Sequence, residues 1–357
     1  MSIVNYGIIG FGGIAENRVA KEGFACDKSR FAPLANARLV AATDVNPARQ
    51  SAAEALGLKW YPTADAMLAD PSIQAIYVAT NNRTHVPMAT KALEAGKHVI
   101  VEKPMATNSA DAQALVALAK SKGLSLYVDH MMVYNAWNRL AAETVASGKL
   151  GKVNDACFHM EFAYGYDPAE AATWRCSNIA EMGGPIGDVA SHCFYVAENI
   201  LGSEVTSLAC VYYPKTMAIA AEDGAYIKAF LANGAQISVN AAFSELRGGL
   251  VGTLGNLGYE VYGDQAVLRA YGAMFQLSGH AGEPYPQHLL LDDGKGPFQE
   301  LTPAPDYIKN IYQSLIGHHA QSVLDGKPLA GGDALHNIRL CELCHASAQA
   351  GGTKMDV

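Results

Sequence analysis

Residues 4–15 read Val4-Asn5-Tyr6-Gly7-Ile8-Ile9-Gly10-Phe11-Gly12-Gly13-Ile14-Ala15, and the fold follows from how they divide. Val4–Ile9 is a short run rich in β-formers. Gly10 to Ala15 follows at once as G-x-G-x-x-A, the pattern of a strand turning into a helix. The first glycine permits the tight turn, and the second lets backbone approach a pyrophosphate. Small Ala15 lets the helix pack close to the strand, and the helix N-terminus receives negative charge. Gly10, Phe11, Gly12, Gly13, Ile14 and Ala15 are therefore candidate dinucleotide contacts. A second strand, Ala37–Ala42, leads to Asp44, whose carboxylate can accept both hydroxyls of an adenosine ribose and would repel a 2′-phosphate. That favours NAD over NADP. The chain between Ala15 and this strand is too long for a plain crossover helix, and Phe24–Pro33 reads as an extra loop or helical turn.

Outward from this unit the alternation continues. Ala48–Ala55 and Ala64–Leu68 read as helices, Ala75–Ala79 as a buried strand and Thr84–Ala95 as a helix. A strand at His98–Val101, a helix at Ser109–Lys122 and a strand at Ser125–Val128 follow. Strands alternating with helices make a doubly wound parallel sheet, the Rossmann arrangement. In such sheets ligands bind outside the carboxyl ends of the strands. Two strand ends carry conspicuous polar groups. Thr80-Asn81-Asn82-Arg83-Thr84-His85 can meet a cofactor or cap the next helix. Glu102-Lys103-Pro104 sets a lysine at the edge, with a proline that fixes φ and is compatible with a cis bond.

The whole chain has 357 residues, 50% hydrophobic and 17% charged, with a formal net charge of −8. Its length implies two domains, and its acidity excludes a nucleic-acid footprint. No run has the apolar length of a membrane span, and the first residues lack the charged start and cleavage site of a leader, so a cytoplasmic location is expected. The seven cysteines are scattered and read as reduced thiols. Cys341-Glu342-Leu343-Cys344-His345 matches a haem-attachment pattern but lies within a helical period, where buried packing explains it better.

The pattern changes near Tyr127. After a helix around Asn138–Ser147, strands dominate: Val153–Ala163, Val205–Tyr213, Tyr226–Leu231, Gln236–Phe243, Gly258–Gly263 and Ala266–Tyr271. This predicts an α+β second domain with a large, mostly antiparallel, open-faced sheet, closed by helices at Ile308–Leu324 and Ala334–Ala350. The expected boundaries are 1–128 and 129–357. An open sheet face suits self-association. Within this half, Gly183-Gly184-Pro185-Ile186-Gly187-Asp188-Val189-Ala190-Ser191-His192 places Asp188 and His192 at i and i+4, on one helix face. Such a histidine can act as a general base near neutral pH; equally, Asp188 can serve the helix dipole beside a half-buried ring. No third ligand has metal-binding spacing, so no metal is expected. Trp174-Arg175 precedes the pair in a loop that can form a pocket wall.

These pieces, in this order, resemble the Gfo/Idh/MocA family, named for glucose-fructose oxidoreductase and inositol dehydrogenase. The resemblance spans nearly the whole chain: GFGGIA, Asp44, Ala79 to His85 in place of A-T-P-N-x-x-H, Glu102-Lys103-Pro104, Trp174-Arg175 and GGPIGDVASH. It implies an NAD-dependent dehydrogenase that oxidises a secondary hydroxyl of a cyclic polyol or sugar. It implies Lys103 and His192 as the catalytic pair, with Asp188 as their partner or a ligand of substrate hydroxyls. Asp44 would hold the ribose, and Thr80, Asn81, Asn82, His85, Glu102 and Lys103 would lie along the cofactor. A homodimer or homotetramer formed through the second domain's sheet is the family's expectation. Two departures stand out. Asn81 replaces the usual proline, and His130–Asn135 lacks an arginine that many members carry. His130, Tyr134 and Tyr164, with Trp174 and Arg175, are then candidates for the substrate wall. Three other readings use the same residues: an NADPH-dependent reductase of a keto-sugar such as anhydrofructose, a glycosidase that uses NAD transiently, and a non-catalytic dinucleotide-binding regulator.

Overall fold

Four strand segments of the first half are apolar on both faces, and a sheet sustains that only when helices cover both sides. The computed structural model describes residues 2–245, 254–278, 283–305 and 309–357. Strands β1 (Val4–Ile9), β2 (Ala37–Thr43), β3 (Lys59–Trp60), β4 (Ala75–Val78), β5 (His98–Val101) and β6 (Leu126–Val128) pair in parallel in the order 3-2-1-4-5-6. Tyr6, Ile8, every residue of β4, Val99, Ile100, Val101, Leu126 and Val128 are buried. The order reverses between β1 and β4, so their carboxyl ends open a crevice. This is the doubly wound parallel sheet expected from the sequence, with β3 as an unforeseen edge strand.

The helices are set by local chemistry. Asn108 caps the helix Ser109–Lys122 by accepting the Asp111 N–H at 2.9 Å, and Gly123 ends it at φ +64°. The helix after the glycine turn, Ala15–Gly23, is π-wound, and the Phe24 N–H reaches the Val19 carbonyl at 2.8 Å. Residues 24–33 are turns and bends without a helix. Phe24 packs on Tyr6 with ring centroids 5.1 Å apart, and the Ala32 carbonyl accepts from Gln313 Nε2 at 2.8 Å.

That last contact exposes a difference from the sequence reading. The first compact unit comprises Met1–Met131 together with Asn310–Ile338, and the second comprises Met132–Lys309 and Arg339–Val357. The division at 1–128 and 129–357 assigned both closing helices to the second domain. The first of them, Ile311–Leu324, instead packs on the sheet of the first unit; Ile308 lies outside the described residues. Tyr6 and His319 join their hydroxyl and Nδ1 at 2.7 Å, and Asn36 donates to the Gly317 carbonyl at 2.9 Å. A helix that returns after some 180 residues of other structure leaves no local mark of where it docks.

The second unit is built on nine strands: β7 (Val153–Glu161), β8 (Val205–Tyr212), β9 (Gly224–Leu231), β10 (Gln236–Ala242), β11 (Leu257–Gly263), β12 (Val267–Tyr271), β13 (His288–Asp292), β14 (Gln299–Glu300) and β15 (Met355–Asp356). Their order is 14-13-12-11-7-10-9-8-15, antiparallel throughout except for the parallel pair β7 and β10. The sheet is thus mostly antiparallel as expected, and β13, β14 and β15 extend it beyond the six predicted strands. Burial alternates along it. On β7, Ala156, Phe158 and Met160 are buried, while Asp155, Cys157, His159 and Glu161 are half-buried on the other face. Helices Ala136–Ala146 and Ser191–Leu201 pack against each other and against the buried face. All seven cysteines are free thiols. Cys341 and Cys344 are buried, and His345 Nδ1 meets the Tyr212 hydroxyl at 2.8 Å, so that stretch is packing. No described helix is long and apolar enough to cross a membrane.

Burial pushes the pKa of His319 down to about 3 from an ordinary 6.5, with His98 and His318 lowering it further. Between those pH values the unfolded chain binds more protons than the folded one. The neutral ring therefore supports the fold above about pH 6.5, and this contribution is lost as pH falls towards 3. Denaturant midpoints should drop between about pH 7 and about pH 4, and less steeply in His319→Gln, which cannot titrate there.

Candidate active site

At the ends of β1 and β4, Gly10 adopts φ +88°, and a Cβ there would stand 2.7 Å from the Ala79 carbonyl oxygen. Only glycine permits that approach. Gly12 and Gly13 differ, because a Cβ on either would meet no atom within 4 Å. Their bareness serves nothing in the protein itself and fits backbone left open for a pyrophosphate. Ala15 and the Phe11 side chain are buried, whereas Ile14 is exposed. Asp44 caps the turn. Its Oδ2 accepts the Phe11 N–H at 2.5 Å and its Oδ1 the Asn46 N–H at 2.8 Å, so both oxygens are oriented at the rim. Gly10, Gly12, Asp44, Val45, Thr80 and Asn81 help line a cleft of about 590 Å³. Arg49 donates from Nε to the Phe11 carbonyl at 2.6 Å and pairs with Glu16, which commits its guanidinium. These residues suit a dinucleotide.

The loop after β4 serves both purposes that the sequence left open. Thr80, Asn81 and Thr84 line the cleft, and the Thr84 hydroxyl donates to Asn81 Oδ1 at 2.6 Å at the start of helix Asn82–Glu94. Asn82 and His85 are buried. His85 places Nδ1 2.7 Å from the Pro104 carbonyl and Nε2 3.1 Å from the Thr80 carbonyl. It thereby ties the loop to the turn after β5, where the Lys103-Pro104 peptide is cis.

Glu102 joins two residues that sequence reasoning missed, Tyr77 and Asp129. The Tyr77 hydroxyl donates to Glu102 Oε1 at 3.0 Å and also meets Asp129 Oδ2. Asp129 is fully buried and hydrogen-bonds Glu102 in turn. Desolvation raises both carboxyls, Asp129 well above the usual carboxylate range, while the Lys103 charge pulls both down. Two carboxyls in contact, one of them fully buried, cannot both ionise cheaply. A polar-tipped Tyr77 within the otherwise aliphatic β4 was the available signal.

In the second unit, Trp174 and Arg175 sit in a short helical turn, Trp174–Ser177, rather than a loop. Arg175 lies over the Trp174 ring at 4.6 Å and places Nε 3.3 Å from Asp188 Oδ2. It also hydrogen-bonds Tyr164, whose hydroxyl is 3.4 Å from Thr173 Oγ1. Tyr164, Trp174, Arg175 and Asp188 therefore form one cluster. Asp188 belongs to a π-wound turn, Ile186–Ala190, and His192 to the α-helix Ser191–Leu201 that continues it. Both are buried. His192 Nδ1 meets the Tyr195 hydroxyl at 2.6 Å. Tyr195 was overlooked, although i and i+3 on a helix are neighbours. Gly184, at φ +79°, packs where a Cβ would meet the Glu222 carboxylate at 2.4 Å, and Glu222 accepts the Ile186 N–H at 2.9 Å. Burial pushes Glu222 up to about 7.

His130, in the first unit, places Nδ1 3.2 Å from Asp333 Oδ2. Tyr134 ends the 3₁₀ turn Met131–Tyr134 and is half-buried.

Comparison with known proteins agrees with this geometry. The profile described as "Oxidoreductase family, NAD-binding Rossmann fold" matches residues 4–130, and the "GFO/IDH/MocA C-terminal domain" profile matches residues 138–269. A 1,5-anhydro-D-fructose reductase from Ensifer adhaerens is 26% identical over 271 residues, 75% of this chain and 74% of the relative. The scyllo-inositol 2-dehydrogenase (NAD(+)) of Bacillus subtilis (strain 168) is 29% identical over 190 residues, 52% of this chain and 53% of the relative. The crystal structure of an aldose-aldose oxidoreductase from Caulobacter crescentus, complexed with glycerol, superposes with a TM-score of 0.84 at 24% identity, covering 99% of this chain and 100% of that one.

The glycines separate fold from binding. Gly12→Ala should leave the unfolding midpoint within about 0.5 kcal/mol of the parent, because its Cβ meets nothing. Yet it should weaken NADH binding at least about tenfold, or about 1.4 kcal/mol, in a fluorescence titration. Gly10→Ala should lose both.

Proposed function

Because the chain belongs to the Gfo/Idh/MocA family of oxidoreductases, we propose that it is an NAD-dependent dehydrogenase oxidising a secondary hydroxyl of a cyclic polyol or sugar. The observation that carries this reading is the buried His192, its ring pinned through Nδ1 by Tyr195, on the helix that continues from Asp188. With Nδ1–H donated to the Tyr195 oxygen, Nε2 is the nitrogen that takes the proton of a substrate hydroxyl. Lys103 stabilises the developing alkoxide by a charge-assisted hydrogen bond. Asp188, balanced by Arg175, accepts from a neighbouring hydroxyl, and Tyr164 with Trp174 forms the wall beside it. Bound NAD supplies the hydride acceptor at nicotinamide C4. His85 holds the turn that carries Lys103 through the Pro104 carbonyl, Asn82, His85 and Glu102 lie near the nicotinamide ribose side, and His130 and Tyr134 are assigned to the substrate wall.

The preference for NAD rests on Asp44. Its carboxylate stands at the cleft rim with both oxygens oriented, and the nearby Arg49 is engaged by Glu16 and the Phe11 carbonyl. A 2′-phosphate there meets a negative charge with no uncommitted guanidinium beside it. Similarity to the anhydrofructose reductase favours one second reading, reduction of a keto-sugar, in which His192 gives back the same proton. The half-exposed face of the nine-stranded sheet supports a homodimer or homotetramer, which light scattering on the eluting protein measures. The seven free thiols support a cytoplasmic location.

A panel of polyols and sugars, read by the absorbance of reduced nicotinamide, tests the activity. Lys103→Met and His192→Ala should each cost about 10²–10⁴ in turnover, and near-parental rates in both would refute the assignment. Tyr195→Phe should lower kcat about tenfold, the worth of one good hydrogen bond, and shift its pH profile. Asp44→Ala should raise kcat/KM for NADP relative to NAD at least about tenfold; an unchanged ratio would remove Asp44 from that role.

A further inference from the structure

The half-exposed face of the second unit's sheet gathers donors that the dehydrogenase reading does not use. Alternation along β7 puts Cys157, His159 and Glu161 on that face. Antiparallel pairing sets Glu260 of β11 directly across from Cys157, and Gly258, without a side chain, across from His159. One ligand atom each from Cys157, His159 and Glu260 lies within 4.8 Å of the other two. His159 Nε2 is 3.3 Å from Glu260 Oε2, and its Nδ1 is 3.2 Å from Glu161 Oε2. Glu161 is itself fixed, since its Oε1 accepts the Tyr213 hydroxyl at 3.2 Å.

We propose that Cys157, His159 and Glu260 bind a divalent transition metal of the zinc class, with Glu161 as the carboxylate that orients the histidine. Thiolate, imidazole and carboxylate are the donors that zinc takes in tetrahedral sites. A metal-bound histidine almost always gives its other ring N–H to a carboxylate or carbonyl, and Glu161 already stands at Nδ1. The two strands hold the donors at a fixed register, and side-chain rotation brings the three ligand atoms around one ion at about 2.0–2.3 Å from each. His159 and Glu260 side chains are each 22% exposed in the single chain, which lets an ion enter before a second copy covers that face. The basic residues on neighbouring strands are paired elsewhere: Lys228 with Asp155 at 2.8 Å and Arg269 with Asp292 at 3.5 Å. Binding displaces the thiol proton of Cys157 and any proton on the His159 ring, and water from the open side takes the fourth position. Local spacing gave no sign of this, because Glu260 reaches β7 only through the sheet. The expectation of no metal was drawn from the surroundings of Asp188 and His192.

The test uses the full-length protein, stripped with chelator, dialysed against Zn²⁺ and measured for bound metal, with Co²⁺ as the spectroscopic probe. One equivalent per chain is expected, with a near-ultraviolet thiolate-to-cobalt charge-transfer band. Cys157→Ser should abolish that band and Glu161→Gln should weaken affinity about 10–100-fold, while Cys26→Ser, at the other half-buried thiol, leaves both unchanged. Thermal midpoints and NADH binding confirm that each variant is folded. Substoichiometric binding by the parent would mean that His159 is only an imidazolium between carboxylates, and a band that survives Cys157→Ser would place the metal elsewhere. Either result overturns the proposal.

Discussion

The close approach of Gly10 to the Ala79 carbonyl, at the ends of β1 and β4, is the contact on which the chemistry of the first unit depends. It brings together the two strands between which the sheet order reverses. The glycine turn then presents bare backbone at Gly12 and Gly13, and the Phe11 N–H falls to Asp44. The same strand ends dispose the polar groups that follow: Thr80 and Asn81 after β4, Glu102 and Lys103 after β5, Asp129 after β6. A parallel sheet aims every strand's last residue at one edge, so charges that would be ruinous within the strands accumulate there at little cost.

That edge carries its own electrostatic logic. Glu102 and Asp129 both bond the Tyr77 hydroxyl, and desolvation raises both carboxyls while the Tyr77 hydrogen bond and the Lys103 charge pull them down. Each carboxyl's state is therefore a function of the other. The second unit solves a different problem. Its π-wound turn sits over Glu222, and Gly184 lets the chain lie against that carboxylate without a side chain between them. The helix that follows is thereby set so that Tyr195 falls beside the His192 ring.

Features governed by neighbours in sequence were legible. The turn at Gly10, the acid closing β2, the Glu102-Lys103-Pro104 edge and the Asp188/His192 spacing all follow from a few adjacent residues. So did the change from parallel to antiparallel sheet, because hydrophobic period and turn residues are local. What escaped was made by distant partners. Asp129 gains its meaning from Tyr77, 52 positions away. Glu222 matters because of Gly184, and β15 exists as a strand because β8 offers it an edge. Even the Arg175–Asp188 pair, visible as two motifs, could not be joined until the short helix at Trp174 turned one toward the other.

The return of Asn310–Ile338 to the first unit has a consequence for how the chain is made. During synthesis β1 to β6 emerge early, yet Tyr6 meets its His319 partner only once the helix Ile311–Leu324 has been made. The dinucleotide unit is therefore complete only when the later segment has been made. A chimera that exchanges cofactor units between relatives must transplant two separated segments, because a swap cut at residue 131 leaves Tyr6 without its cover and strands the recipient's helix over a foreign sheet. Recombination in such a chain is constrained by wiring and not only by similarity.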